Sequence, residues 1–388
     1  MIKSIIDNDL YKFTMQNAVI KIFPRAKVRY QFINRGKTPF PEGFAEQLRK
    51  EIAKMSELVL TNNEKDFLKK NCAYLDPTYI DFLAGYRYDP SELGVIQQGG
   101  DLQISIEGYW YRTILWEVPL MALISELYFK MTGQEIYDDA QIIDIARKKA
   151  TGFNLLGISV ADFGTRRRYS FENHDRIVKA LKNYGKPSFI GTSNVYFAMK
   201  HKLIAVGTHA HEWFMFHAAK YGYKMANKLA LENWVRVYRG DLGIALSDTF
   251  TSDVFFHAFD TKFAKLFDGV RQDSGDPIEF ADKAVAHYKA LKIDPMSKTI
   301  IFSDGLNPET VEKITKHCRG KIKISFGIGT NFTNDVGVKP LNIVIKITEA
   351  KPEGQDWMHT VKLSDTKGKY TGDEQSIKLC KEVLDIDD

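Results

Sequence analysis

The sequence predicts an α/β protein whose parallel strands form either an open doubly wound sheet or a closed barrel, preceded by an α+β segment. Three observations carry this. From about residue 155 onward, short β-branched or apolar runs recur, each ending in small or polar residues. Every run except the last is followed by a helix-compatible segment. The run ends, near residues 163, 190, 208, 248, 273, 303 and 326, lie about 18 to 40 residues apart, enough for a strand, a helix and two loops. About seven consecutive βα units imply parallel strands, and in either architecture the working site lies at the carboxyl ends of those strands.

Taken in order, the first 125 residues alternate in AKVRYQFINR and DLQISIEGYW and have helical periodicity in FAEQLRKEIAKMSELV, an α+β pattern. The apolar segment ILWEVPLMALISELYFKM contains Glu117, Pro119 and Glu126, so it reads as a buried amphipathic helix and not a membrane span. The βα runs are GISVADFGT, PSFIGTSN, LIAVGTHA, GIALSDT, FDGVRQDSGD, TIIFSDG and IKISFGIGT. FADKAVAHYKALKI and NPETVEKITKHC are two of the intervening helices; Asp276 and Pro277 start the first by capping and by proline at its first turn. NIVIKITEA and HTVKLSD are strand-like again and return to the N-terminal sheet. These changes place an α+β domain over residues 1–125 with about 340–388, capping a site carried by residues 126–339.

Composition removes several function classes. With 388 residues the chain buries a sizeable core, and 44% apolar with 27% charged residues is ordinary for a globular protein. A net charge of +5, with both signs interspersed, does not argue for nucleic acid and suits small anionic ligands. Cys72, Cys318 and Cys380 give neither a disulfide framework nor a zinc spacing, which points to a reducing cytoplasm. Asp7 and Asp9 interrupt any secretory signal at the N-terminus.

The polar residues gather at the run ends. In GVRQDSGDP a strand delivers Arg271 and Asp273 on one side; buried together they must form a mutual salt bridge or face a ligand. SFGIGTNF ends a strand in a Gly-X-Gly-Thr turn, where Gly327, Gly329 and Thr330 would let backbone amides approach a phosphate. Phe332 stands where a dinucleotide fingerprint needs its third glycine, so the alternatives are a barrel phosphate loop and an ordinary turn. Of Arg166, Arg167 and Arg168, at least one should be solvated, and one could bind a carboxylate or phosphate bidentately. In AVGTHAHEWF, His209 and His211 follow a glycine at a strand's carboxyl end. No third ligand suggests a metal, leaving acid/base work or nucleophilic catalysis through a ring nitrogen.

Together with DNDLYKFTMQ, LWEVPL, DFGTRRR, GTSN, AHEWF, RQDSGDP, FSDGLN, SFGIGTNF, KPLNIVIK and KLSD, in that order, the chain resembles the nicotinate phosphoribosyltransferase family of type II phosphoribosyltransferases over essentially its whole length. The resemblance implies an irregular α/β barrel with an α+β N-terminal domain, in a cytoplasmic enzyme of NAD salvage. It implies synthesis of nicotinate mononucleotide from nicotinate and phosphoribosyl pyrophosphate with Mg²⁺, driven by ATP through a phosphohistidine that maps to His211. His209 receives no essential role. Phe163, and Tyr11 from a neighbouring subunit of a homodimer, would sandwich the pyridine ring, and Arg166 would pair with its carboxylate. Ser193 would donate to that carboxylate where the nicotinamide-using relative has aspartate, favouring the acid. Arg271 and Asp273 would hold the phosphoribosyl pyrophosphate, and Asp248 would act through Mg²⁺. Ser303, Asp304 and Gly305, with Gly327, Gly329 and Thr330, would cradle the 5′-phosphate, and Lys362 and Lys369 the diphosphate. The rivals are nicotinamide use, a flavin-dependent barrel oxidoreductase and a non-catalytic binding module.

Overall fold

In a computed structural model that describes residues 1–386, all seven runs form strands; the last two positions of the expected 340–388 segment lie outside the described residues. An antiparallel sheet contains β1 (Lys27–Asn34), β2 (Leu93–Gln98) and β3 (Asp101–Tyr109). The parallel strands are β4 (Ser159–Asp162), β5 (Phe189–Thr192), β6 (Ile204–Ala205), β7 (Ile244–Leu246), β8 (Gly269–Gln272), β9 (Thr299–Phe302) and β10 (Lys323–Ile328). β11 (Ile343–Lys351) and β12 (Met358–His359) return to the antiparallel sheet, whose order is β12-β11-β1-β3-β2. NIVIKITEA therefore pairs as expected, whereas most of HTVKLSD runs as irregular chain. The parallel sheet has the order β6-β5-β4-β10-β9-β8-β7, so the fold is α/β with an irregular parallel sheet and a separate antiparallel one.

By contacts, the chain divides into two compact units. The first contains residues Met1–Asn17, Tyr30–Gly207 and Ile328–Lys346; the second contains Ala18–Arg29, Thr208–Gly327 and Ile347–Asp388. In the first, the Glu117–Thr132 helix is buried on nearly every side, with both glutamates and Pro119 inside. Its polar groups have partners: Ser125 donates to the Arg168 carbonyl at 2.8 Å and Glu126 accepts the Phe171 N–H at 3.0 Å. The strand tips are tied by Asp162, whose Oδ2 bonds His174 at 2.6 Å and Thr192 at 2.7 Å while Oδ1 accepts the Gly164 N–H at 2.9 Å. Gly164 permits a close approach of Thr333, where a Cβ would come within 2.3 Å of the threonine side chain.

In the second unit, β7, β8 and β9 are each followed by a helix, at Ser252–Ala258, Pro277–Ala290 and Pro308–Cys318. Asp276 caps the Pro277–Ala290 helix by accepting from the Ile278 and Glu279 amides, and Asn307 caps Pro308–Cys318. Gly269 is required where β8 meets β9, since a Cβ would lie 1.8 Å from the Thr299 carbonyl oxygen. Irregularity shows at β7. Thr208 Oγ1 donates to the Ile244 carbonyl at 2.9 Å and the Leu246 N–H donates to His209 Nε2 at 3.2 Å, so side chains take over from ladder bonds.

Candidate active site

In the second unit, β6 ends at Ala205 and His211 is the first residue of the His211–Tyr221 helix, six residues on. The two histidines therefore do not sit on a strand end. The β6 run stops after two residues because Gly207, at φ 147°, takes the chain out of extended pairing, and Ala210, extended, then admits the helix. His209 is wholly buried, edge-on to Trp234 at 4.6 Å, and its Nε2 receives the Leu246 amide. Burial and the Arg271 charge hold its pKa well below 6.5. It is a neutral structural acceptor that fixes the end of β7.

His211 is different. Its Nδ1 lies 3.0 Å from Thr249 Oγ1, and its Nε2 lies 3.1 Å from Asp273 Oδ2 and 3.9 Å from Asp248 Oδ1. Burial, reinforced by the Lys362 cation, lowers its pKa to about 4 against the pull of both aspartates. For Asp273 burial works the other way, yet the Arg271 guanidinium and the His211 bond hold its carboxyl well below the usual range. An ionised carboxylate only accepts, so the tautomer is assigned as Nε2–H donating to Asp273, with the Nδ1 lone pair facing the Thr249 hydroxyl. The result is a neutral, oriented imidazole at a helix N-terminus, where backbone amides and the dipole favour an anion.

The surrounding residues in this unit are mostly those the sequence proposed. Asp248, fully buried, accepts the Ser274 hydroxyl at 2.5 Å and has Lys362 at 3.8 Å on Oδ2, while its Oδ1 has no hydrogen-bond partner among the described residues. Ser303 donates to Asp273 Oδ1 at 2.8 Å. Lys369 is 3.7 Å from Asp304, whose carboxyl is raised by burial and only partly relieved by that lysine. Gly305, at φ 57°, turns the chain after β9, and Gly327 lies buried in β10. The Nε of Arg271 is buried without a partner among the described residues; of the two readings of the Arg271 and Asp273 pair, this favours a ligand-facing guanidinium. Thr249 and Ser274, which the sequence reading missed, hold His211 and Asp248 in place. Both lie immediately after residues already singled out, Asp248 and Asp273, which is the only signal they gave.

The first unit holds the other group. Phe163 follows β4, is half-buried, and its amide donates to the Ile328 carbonyl at 2.8 Å. Gly329 sits against the Phe163 carbonyl and precedes a single helical turn, Thr330–Thr333. Tyr11, at the start of the Leu10–Ile22 helix, is also half-buried. Arg166 is 36% exposed and lies 3.5 Å from Glu117, which a fully buried Lys12 holds at 2.5 Å. Despite burial, Lys12 and then Arg166 keep Glu117 below its usual pKa. The arginine triplet resolves unevenly. Arg168 is entirely buried and binds a carboxylate with both terminal nitrogens, but the carboxylate is the chain's own Asp7, at 2.8 and 2.9 Å. Arg166 and Arg167 are half-exposed. Ser193, after β5, donates to Asp9 Oδ1 at 2.8 Å, a partner the sequence did not suggest.

No group of three or more His, Cys, Asp or Glu residues among the described residues could hold a metal alone. The orphan oxygen of Asp248 still fits Mg²⁺, which commonly takes one or two carboxylates and completes its shell with phosphate oxygens and water. Among the described residues no helix is long and apolar enough to cross a membrane.

The comparisons agree along the whole chain. Residues 6–125 match the nicotinate phosphoribosyltransferase N-terminal domain model and residues 158–388 the nicotinate phosphoribosyltransferase family model. A nicotinate phosphoribosyltransferase from Chromohalobacter salexigens is 61% identical over 99% of this chain and 98% of its own. One from Desulforapulum autotrophicum is 52% identical over 99% of both. The crystal structure of nicotinate phosphoribosyltransferase from Porphyromonas gingivalis, 50% identical, superposes with a TM-score of 0.97 over 100% of both chains. With both domain models matched and relatives this similar along its full length, the chain belongs to the nicotinate phosphoribosyltransferase family.

Proposed function

We propose that this protein makes nicotinate mononucleotide and diphosphate from nicotinate and 5-phosphoribosyl 1-diphosphate, and that ATP drives the synthesis through transient phosphorylation of His211. Family membership supports the transfer; the single observation carrying the ATP coupling is the neutral His211 imidazole, bracketed by Asp273 and Thr249 at the start of a helix. A protonated imidazole could not attack a phosphorus atom; this one keeps an unprotonated Nδ1 at physiological pH, facing the Thr249 hydroxyl. In the assigned tautomer Nδ1 would take the γ-phosphoryl group as the Thr249 hydroxyl turns away, the bond from that phosphorus to the bridging oxygen breaking to release ADP, and Asp273 would balance the charge that develops on the ring. Hydrolysis of the phosphohistidine would then release the tightly binding state that phosphorylation favours.

In the transfer itself, the pyridine nitrogen attacks the anomeric carbon as diphosphate departs through an oxocarbenium-like state, so the protein's work is positioning and charge stabilisation. The pyridine end is assigned to the first unit: Phe163 and Tyr11 offer half-buried ring faces, and Arg166 and Ser193 take the carboxylate. The phosphoribosyl pyrophosphate is assigned to Arg271 and Asp273, and its 5′-phosphate to Ser303, Asp304 and Gly305 with the glycine turn Gly327, Gly329 and Thr330. Lys362 and Lys369 meet the diphosphate. Asp248 would hold Mg²⁺, which when bound neutralises charge on the leaving group. Three free, buried thiols suit a reducing cytoplasm, and a homodimer would let Tyr11 serve a neighbouring subunit.

The decisive assay is formation of nicotinate mononucleotide from nicotinate and phosphoribosyl pyrophosphate, with and without ATP, followed by detection of acid-labile phosphate on the protein. Product that rises with ATP, and label confined to His211, is expected. Transfer indifferent to ATP would remove the coupling and leave the transferase. Absence of transfer from nicotinate would remove the reading.

A further inference from the structure

In the first unit, Ser193 is not free to do what the sequence suggested. Its hydroxyl proton is already directed at Asp9 Oδ1, 2.8 Å away, and both side chains are buried. The backbone locks the pair: the Leu10 N–H donates to the Ser193 carbonyl at 2.8 Å, and Asp9 and Asn194 form an antiparallel bridge. A serine whose single proton is committed to a carboxylate presents only lone pairs to a ligand. Lone pairs suit the N–H of a carboxamide and repel a carboxylate. With Asp9 ionised, the pair would act much as an aspartate in place of Ser193, and select the wrong substrate.

The conflict disappears if the bond runs the other way. We propose that Asp9 is a specificity-determining positioning residue: it takes up one proton as the pyridine carboxylate binds, donates it to Ser193 Oγ, and thereby turns the Ser193 hydroxyl toward the substrate. This rests on the assignment of Ser193 and Arg166 to the pyridine carboxyl group. The step is a protonation only; the proton comes from solvent, resides on the Asp9 carboxyl, and no bond to the substrate forms or breaks. The environment suits it. Burial raises the Asp9 carboxyl above its ordinary pKa, against hydrogen bonds from Thr165 and Ser193 and the charge of Arg166. The charged groups bearing on it are Arg166 and Asp162, from the turn and tip of β4, and Asp162 raises it further. On its own segment, Asp7 is neutralised by Arg168 and Lys12 by Glu117.

The test is the pH dependence of substrate choice. The ratio of kcat/KM for nicotinate to that for nicotinamide cancels ionisations common to both reactions, and calorimetry in buffers of different ionisation enthalpy counts protons taken up with nicotinate. In the wild type the ratio should fall by up to about tenfold per pH unit once pH exceeds the Asp9 pKa, with uptake approaching one proton. Asp9→Asn stays neutral and can donate to Ser193, so its ratio should be flat and its proton uptake absent; Asp9→Glu should restore the slope. The same slope and uptake in Asp9→Asn overturn the proposal, as does an Asp9→Asn protein that disfavours nicotinate at every pH. If Asp9→Asn does not fold, Ser193→Ala must flatten the ratio, and a persisting slope overturns it. A wild type that transfers to nicotinate with no such slope sinks this inference alone, whereas one that transfers nothing to nicotinate sinks the functional reading.

Discussion

The ionisation of His211 gives the sharpest test of the catalytic reading. The perturbation is pH itself. With its pKa lowered to about 4 by burial and Lys362, the imidazole at pH 5 is about nine-tenths neutral, whereas a histidine near 6.5 would be only about 3% neutral. The roughly thirtyfold difference is large enough to read directly. Two-bond ¹H–¹⁵N spectra of the imidazoles report protonation and tautomer together, and His211→Asn assigns the signal. His211 should remain neutral with its proton on Nε2 through pH 5 and titrate near 4. Stability should respond with a definite sign. A histidine whose folded pKa is lowered is protonated first in the unfolded chain, so its contribution is intact above about pH 6.5, lost between there and 4, and constant below. The full loss is on the order of 3 kcal/mol, accumulating at about 1.4 kcal/mol for each pH unit crossed in that window. A midpoint near 6.5 would refute the lowering by burial and Lys362, and a proton on Nδ1 would refute both the nucleophilic nitrogen and the role given to Asp273.

Three further outcomes follow from the same geometry. His211→Asn should abolish stimulation by ATP while slow phosphoryl-independent transfer survives, measured as product formed with and without ATP; equal coupling in the two proteins would refute the assignment. Ser193→Asp would put a second carboxylate beside Asp9, and the ratio of kcat/KM values should move toward nicotinamide, with unchanged discrimination removing Ser193 from the site. Arg168→Leu strands the buried Asp7 charge and should cost about 3 to 5 kcal/mol in denaturant titration, most of it recovered when Asp7→Leu is added; additive losses would show that the pair is not a unit.

What could be read from residues alone followed the range of the interaction that fixes it. The seven parallel strands were legible because each run is a local alternation of apolar chain and terminating polar or glycine residues, and β11 because NIVIKITEA has the same character. The helix start at Asp276 was legible for the same reason, a capping side chain two or three residues from the amides that donate to it. The His211 helix was misread as a strand end because its N-cap is Ala210, which makes no side-chain cap bond; the acidic Glu212 in its first turn was the remaining cue. Asp9 and Ser193 are 184 positions apart, and Asp7 and Arg168 161. No local pattern encodes such pairs, since either partner alone looks like an ordinary surface residue. That matters most for Ser193. Its residue type argues for a donor to a carboxylate, and its type is all that sequence supplies. What it can donate is decided by where its proton already points, so substrate choice at this position belongs to the Asp9–Ser193 pair and to the proton they share.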